Sequence, residues 1–140
     1  MDNFLELGRQ VIAAQPFSVL LGARLEAFAP GEVTMALTLQ AQHTQQDGVA
    51  HDGVIGYLAA TALIFAGGSA LGTPVTVAEY KINFLRPAES GELVARAKAV
   101  GTAGQQAVCR CEIQVVTPEA ELLVAVAQGT VISRSAAGLG

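Results

Sequence analysis

Between Asp52 and Glu79 this chain has no charged side chain, and its most apolar part is Val54-Ile55-Gly56-Tyr57-Leu58-Ala59-Ala60-Thr61-Ala62-Leu63-Ile64-Phe65-Ala66. A helix that is apolar all round must be covered on nearly all sides, so the rest of the chain has to wrap it. It is entered through Gln45-Gln46-Asp47-Gly48-Val49-Ala50-His51-Asp52-Gly53, a polar loop with two glycines. A loop that brings free backbone N–H groups to the start of a buried helix suits developing negative charge. No carboxylate occurs from Gly53 to Ala78, so beyond its first residues the helix offers neither acid nor base.

The uncharged run exceeds the roughly 20 residues that a membrane-spanning helix needs. Glycines, threonines and Pro74 interrupt it, however, and no Lys/Arg cluster or aromatic belt flanks it, so no membrane is expected. The opening Met1-Asp2-Asn3 lacks the basic stretch of a signal peptide. A length of 140 residues suits one domain. Apolar residues make up 51% and charged ones only 14%, low for a soluble monomer. Surface buried between subunits need not be charged, so a homo-oligomer is expected, as a homodimer or a dimer of dimers. A net charge of −4 with 8 Lys+Arg argues against nucleic acid as a main partner. Cys109 and Cys111 lie at i and i+2 of a strand, about 6.5–7 Å apart, too awkward for a bridge. With no further cysteine and no suitably spaced histidine, they make no metal site either. They read as small buried residues of a reducing, cytoplasmic compartment. His43 has no partner at metal spacing and is expected to be exposed.

Asn3-Phe4-Leu5-Glu6 has the N-cap and acid of a capping box. Phe4, Leu7, Val11 and Ala14 recur at helical spacing until Pro16, which predicts one helix over residues 1–16. Ala23–Phe28 and Glu32–Gln40 read as a hairpin about Pro30-Gly31. The buried helix follows, closed by Gly67-Gly68 and Gly72. Four runs with strand character come next: Val75–Leu85, Glu92–Val100, Gln105–Val116 and Leu122–Ser133. This order predicts an α+β domain over residues 1–134, one antiparallel sheet with a long helix on its concave face. Residues 135–140 read as a flexible tail.

Three motifs carry a resemblance: Gln45…Gly48-Val49-Ala50-His51-Asp52-Gly53, then Glu79-Tyr80-Lys81-Ile82-Asn83-Phe84-Leu85-Arg86-Pro87-Ala88, then Ala127-Gln128-Gly129-Thr130-Val131. Over residues 20–133 the chain resembles the hot-dog-fold acyl-CoA thioesterases, more narrowly their phenylacetate-pathway (PaaI-like) branch. The resemblance implies a sheet wrapped round a central helix, and hydrolysis of a small or aryl acyl-CoA thioester. It implies no cofactor, since CoA is part of the substrate, and no metal. The family usually reads His-Gly-Gly where this chain has His51-Asp52-Gly53. Nine residues after the His the family carries an Asp or Glu, as nucleophile or general base. Here that position is Ala60, which can do neither.

Ala60 leaves three readings open. It is an introduced substitution, or a natural loss that leaves a non-catalytic acyl-CoA binder, or Asp47, Asp52 or Glu79 has taken over the role. Asp52 lies about 12 Å along the helix from position 60, too far unless the substrate moves. A hydratase on the same fold would need an Asp and a His together on the loop, and Asp47 and His51 mimic this only loosely. The resemblance assigns the oxyanion donor to the backbone N–H of Asp52, with Gly53 beside it; the Asp52 side chain could also cap the helix, but a carboxylate beside an oxyanion is electrostatically awkward, so it is expected to turn towards solvent. Gln45 would orient the thioester or a water, and His51 would hold the loop through its ring. Substrate contacts would come from Val77, Asn83, Phe84, Leu85, Arg86 and Pro87, with Arg86 or Lys81 near a phosphate. The turn Thr102, Ala103, Gly104, Gln105 would line the CoA tail through backbone N–H groups, because it carries no cation.

Overall fold

The computed structural model describes residues 2–139. Met1, at the start of the helix expected over 1–16, and Gly140, the end of the 135–140 tail, lie outside them. The elements are α1 (Asp2–Ala13), α2 (Pro16–Leu21), β1 (Arg24–Ala29), β2 (Glu32–Thr38), a 3-10 turn (Ala41–His43), α3 (Asp52–Leu71), β3 (Val75–Phe84), β4 (Glu92–Ala103), β5 (Gln106–Val116) and β6 (Glu121–Ser133). All six strands form one antiparallel sheet in the order β1-β2-β4-β5-β6-β3, with α3 on its concave face. This is the hot-dog arrangement that the motifs imply. The consecutive strands β4, β5 and β6 are neighbours, but β3 is not beside β4. After α3 the chain crosses to the far edge, where β3 pairs with β6. The sheet therefore has two edges, β1 and β3.

The core is the interface between α3 and the sheet. Leu58, Ala59, Ala62, Leu63 and Ala66 are fully buried against Leu37, Leu93, Ala95, Cys109, Ile113 and Val131. Alternation on the strands makes this possible: in β5, Ala107, Cys109, Cys111, Ile113 and Val115 face inward while Arg110 and Glu112 face out. The expectation that α3 is covered on nearly every side is corrected here. Tyr57, Ala60, Thr61 and Ile64 form a stripe that this chain leaves partly open. By length and composition alone α3 is long and apolar enough to cross a bilayer, yet half of it is buried inside the domain.

Three boundaries differ from expectation. The N-terminal segment is two helices, with Asn3 already inside the first. Pro16 does not merely stop α1; it opens α2 at the first helical position, where its missing N–H costs nothing. α3 runs through Gly67-Gly68 and closes only at Gly72, whose φ of 73° lets its N–H reach Gly68 O at 2.8 Å. A Cβ on Gly67 would lie 2.1 Å from Val131 Cγ2, so the glycine is there to let helix and sheet approach. After β6, Arg134 N–H donates to Pro74 O at 2.9 Å and Leu139 N–H to Arg134 O at 2.8 Å. Cys109 and Cys111 are free thiols buried side by side. Burial pushes the Cys109 thiol up to about 11; burial, with the neighbouring Glu112 carboxylate, pushes Cys111 up to about 12.

Candidate active site

The loop before α3 is held at both ends and in the middle. Thr44 and Ala50 form an isolated antiparallel bridge, Gln45 N–H donates to Val49 O at 2.9 Å, and Gly48 N–H donates to Gln45 O at 3.0 Å. Gly48 takes φ 86°, a left-handed conformation that a side chain would strain. Ala50 N–H then donates to Ala88 O at 2.8 Å, and His51 N–H to His43 O at 2.9 Å. His43 is not exposed as expected but only 4% accessible. Its Nδ1 accepts from Gln40 N–H at 3.0 Å, and its Nε2 donates to Leu21 O at 2.9 Å. Both ring nitrogens are thus consumed in fastening the turn before the loop to the end of α2.

His51 caps α3. Its Nδ1 accepts from Gly53 N–H at 2.7 Å, and its carbonyl accepts from Val54 N–H at 3.0 Å. The cap is therefore His51, and the Asp52 side chain is exposed, as expected, and makes no hydrogen bond among the described residues. One consequence is chemical. Of the two N–H groups assigned to the oxyanion, that of Gly53 is already used by His51, whereas Asp52 N–H has no acceptor among the described residues. The partial positive charge of the helix start adds to that single free donor.

Two adjoining clefts meet at Asp52 and Phe84. The smaller, of about 390 Å³, gathers Gln45, Asp47, Asp52, Leu85, Arg86 and Pro87, so the loop and the end of β3 come together within one chain. The larger, of about 490 Å³, opens over Asp52, Gly53, Gly56 and Ala60 on α3. Spacing of four residues places Asp52, Gly56 and Ala60 in one row along the helix. The opposite wall is Tyr80, Ile82 and Phe84 of β3, and Phe17 of α2 closes one side. Glu79, adjacent to Tyr80 on an alternating strand, faces away from this cleft.

The remaining sequence-derived residues lie elsewhere in the chain. Asn83 is on the outer face of the sheet, in a separate depression with Lys81, Arg110 and Gln128. Val77 packs against the core. Thr102, Ala103, Gly104 and Gln105 form the β4–β5 hairpin turn, where Gly104 has φ 60° and Gln105 Oε1 accepts from Ser133 Oγ at 2.5 Å. That turn lies at the Val75 end of β3, because Ser133 pairs with Val75. α3 is 20 residues long, so the turn and the loop at its start are about 30 Å apart.

Sequence reasoning missed five side chains of the larger cleft: Phe17, Tyr57, Thr61, Tyr80 and Ile82. Tyr57 Oη donates to the buried Ser18 Oγ at 2.5 Å, and Ser18 Oγ donates to Gln15 Oε1 at 2.6 Å. Burial raises the Tyr57 pKa above the ordinary tyrosine value, with hydrogen bonds to Ser18 and Thr61 pulling the other way, so it remains a neutral phenol. Phe17 stacks edge-on against it at 5.6 Å. The signals are present in the sequence: Tyr57 and Thr61 are hydroxyls in the apolar first half of the helix, and Tyr80, Ile82 and Phe84 alternate towards it.

The fold and this cleft define a class, and comparison with known proteins agrees. The family model of the thioesterase superfamily matches residues 47–120, the span from the loop through α3 and β3 to the end of β5. The chain belongs to that superfamily, as a hot-dog, PaaI-like member. It is similar to a thioesterase family protein from Silicibacter pomeroyi, at 28% identity over 89% of this chain and 93% of that one, with a TM-score of 0.83. It is also similar to a variant of the phenylacetic acid degradation protein PaaI from Thermus thermophilus, at 30% identity over 85% and 99%, TM-score 0.75. PaaI from the phenylacetic acid degradation operon of E. coli shares the fold at 24% identity over 90% and 89%, TM-score 0.81. No curated protein matches.

Proposed function

We propose that this chain is an acyl-CoA thioesterase scaffold whose reacting carboxylate has been replaced by Ala60. As it stands, it binds an acyl-CoA thioester and turns it over slowly. The observation that carries the reading is the row on α3: a free Asp52 N–H at one end, and an alanine bordering the same cleft where the family has its Asp or Glu. The thioester carbonyl would lie against the N–H, whose hydrogen bond strengthens as the oxygen gains charge. Position 60 of the same chain is about 12 Å along α3 from that N–H, so the carboxylate that would attack the carbonyl, or take a proton from the attacking water, would be one at position 60 of a second subunit. Without it that step loses about 10²–10⁴ in rate, the usual worth of a general base.

Aromatic and aliphatic walls suit a small or aryl acyl group, and Arg86 beside the smaller cleft suits a phosphate of CoA. No separate cofactor is needed, because CoA arrives with the substrate. The working form is a homodimer or a dimer of dimers, with β3 edges joined. That pairing would cover an open strand edge and the Tyr57–Ile64 stripe of α3. It would also bring one subunit's 102–105 turn towards the other's loop, since the two groups lie at opposite ends of a single chain. Buried free thiols and a CoA substrate fit a cytoplasmic location. A monomeric mass by light scattering at micromolar concentration would remove the dimer from this reading.

The experiment is turnover of Ala60→Asp on a panel of acyl-CoA thioesters. A gain of at least about 10²-fold is expected. An unchanged rate on every member, with binding retained, would favour the second reading, a non-catalytic acyl-CoA binder. Position 60 itself holds no carboxylate, and that is what keeps the second reading in play.

A further inference from the structure

We infer that Phe17 selects the acyl group: its ring, fixed on α2, is a wall against which an aryl group packs better than a straight aliphatic chain. The inference rests on the acyl-CoA reading of the larger cleft and adds to it a specificity-determining residue. Phe17 is 58% exposed. A lone exposed ring is ordinary on a protein surface. What sets this one apart is how firmly its short helix is fastened. At the start of α2, Tyr57 Oη donates to Ser18 Oγ, and Ser18 Oγ donates to Gln15 Oε1, so a buried serine hydroxyl is engaged on both sides. Pro16 stiffens the backbone between them. At the other end, Leu21 O accepts from the His43 ring at 2.9 Å, and Gly22, at φ 79°, closes the helix with its N–H on Ser18 O at 3.0 Å. Successive helical residues are turned by about 100°, so with Ser18 turned down onto Tyr57, Phe17 is turned aside over the cleft.

The same fastening sets the ring where the acyl group has to lie. Tyr57 and Ala60 are neighbours one turn apart on α3, so the tie through Ser18 holds Phe17 beside the turn that borders the reacting position. The floor there is Gly56 and Ala60, which offer nothing larger than a methyl. Phe17 and Tyr57, edge to face at 5.6 Å and 75°, make one side, and Tyr80 and Phe84 of β3 put aromatic rings on the other. An aromatic neighbour adds about two- to tenfold in affinity for a ring beyond the area it buries. A flat ring collects that contribution from both sides of such a slot. A straight chain collects it from neither, and it also loses more rotamer freedom on being confined. The acyl group occupies the cleft that Ala60 borders whichever subunit supplies the N–H for its oxygen, so Phe17 and Ala60 of one chain serve the same ligand.

The test is calorimetry with phenylacetyl-CoA and octanoyl-CoA, whose acyl groups have equal carbon counts. Both are used as dethia analogues, in which a methylene replaces the thioester sulfur and the carbonyl is kept. This chain should bind the phenylacetyl analogue about tenfold more tightly. Phe17→Ala should erase that preference, and Phe17→Leu, which keeps apolar bulk without a ring, should lose most of it. Phe17 lies outside the buried core, so both variants should keep the fold by circular dichroism and the mass of this chain by light scattering. Ser18→Ala, buried and out of the ligand's reach, should move the preference the same way by freeing the turn, a shift that a merely structural serine would not give. A preference unchanged in the Phe17 variants, with both analogues bound, overturns the role of Phe17 and leaves the acyl-CoA reading standing. So does a variant whose mass changes while its preference does not, which would assign the ring to a subunit contact. If no form binds either analogue below millimolar concentration, both fall.

Discussion

The two ends of α3 are built from the same small residues for opposite reasons. Near its start, a Cβ on Gly56 would meet only the Tyr80 hydroxyl, at an ordinary 3.5 Å, and Ala60 borders the open cleft. Near its end, a Cβ on Gly67 would be 2.1 Å from Val131 Cγ2 and 3.0 Å from Cys109 Sγ, while Ala66 is wholly buried. One end is thin so that a ligand can lie on it, and the other so that the sheet can. Small residues on a helix do not themselves announce a site; what fills the space they leave decides the matter.

The sharpest way to break that contrast is to make one chemical change at both ends. Ala60→Asp should fold and gain activity, because its carboxylate enters a hydrated cleft. Ala66→Asp places the same carboxylate among apolar side chains with no partner, at a cost of several kcal/mol. Against a typical stability of about 5–15 kcal/mol, the second variant should be largely unfolded or recovered insoluble. Equal thermal stability of the two proteins would show that the two ends are not distinct.

The glycines give a milder version. Gly67→Ala forces a methyl into Val131 and should destabilise by about 1–3 kcal/mol. Gly56→Ala should instead be neutral or stabilising by up to about 1 kcal/mol, since alanine is the better helix former. It should nonetheless weaken acyl-CoA binding, by crowding the cleft beneath Tyr80. Urea denaturation of both variants, with ligand titration of the second, would decide. A Gly56→Ala protein that is destabilised as much as Gly67→Ala would mean the first end is packed as tightly as the second.

What the sequence reveals follows the same division. The hot-dog fold and the start of α3 are legible, because a charge-free run behind a His-x-Gly loop is a local signal. The position of β3 is not, since its pairing with β6 joins segments far apart in the chain. Its bulge leaves a mark all the same: Val75 and Val77 keep one alternation, and Tyr80, Ile82 and Phe84 another, one residue out of step. His43 reads as exposed because neither of its ring partners is visible in a linear sequence; one is Leu21 O, 22 positions away. Which group caps the helix is hidden for a related reason. Asp is the commoner cap, and only the geometry shows the His51 ring turned onto Gly53 N–H.

The closed end also carries a pH signature. Burial raises the thiol of Cys109 to about 11 and that of Cys111 to about 12. In the unfolded chain both ionise near the ordinary cysteine value, about 8.5. Between those values the folded protein retains protons that the unfolded chain has released, so stability falls as pH rises. The urea midpoint should therefore decline from about pH 8.5 upward. Replacing both cysteines by alanine should flatten that decline, and an undiminished slope would assign it to other groups. Thiol reagents at neutral pH should react with neither cysteine until the protein unfolds.

The smallest expected effect tests how the open end is held. Tyr57, Ser18 and Gln15 form a one-way chain of donors tying α3 to α2, and α2 carries the Phe17 that closes the cleft. Tyr57→Phe removes the first donor but leaves Ser18 donating to Gln15, so it should cost only about 0.5–1.5 kcal/mol, the net worth of one hydrogen bond. Ser18→Ala leaves both the Tyr57 hydroxyl and the Gln15 carbonyl oxygen without their partner, and should cost more, about 1–3 kcal/mol. The double variant should cost less than the sum of the two, because the shared bond can be lost only once. Strict additivity in thermal melts would mean that Tyr57 and Ser18 are neighbours without being coupled. In that case α2 is held by the stacking of Phe17 on Tyr57 alone, and Tyr57→Phe, which keeps that ring, should leave acyl-CoA binding unchanged.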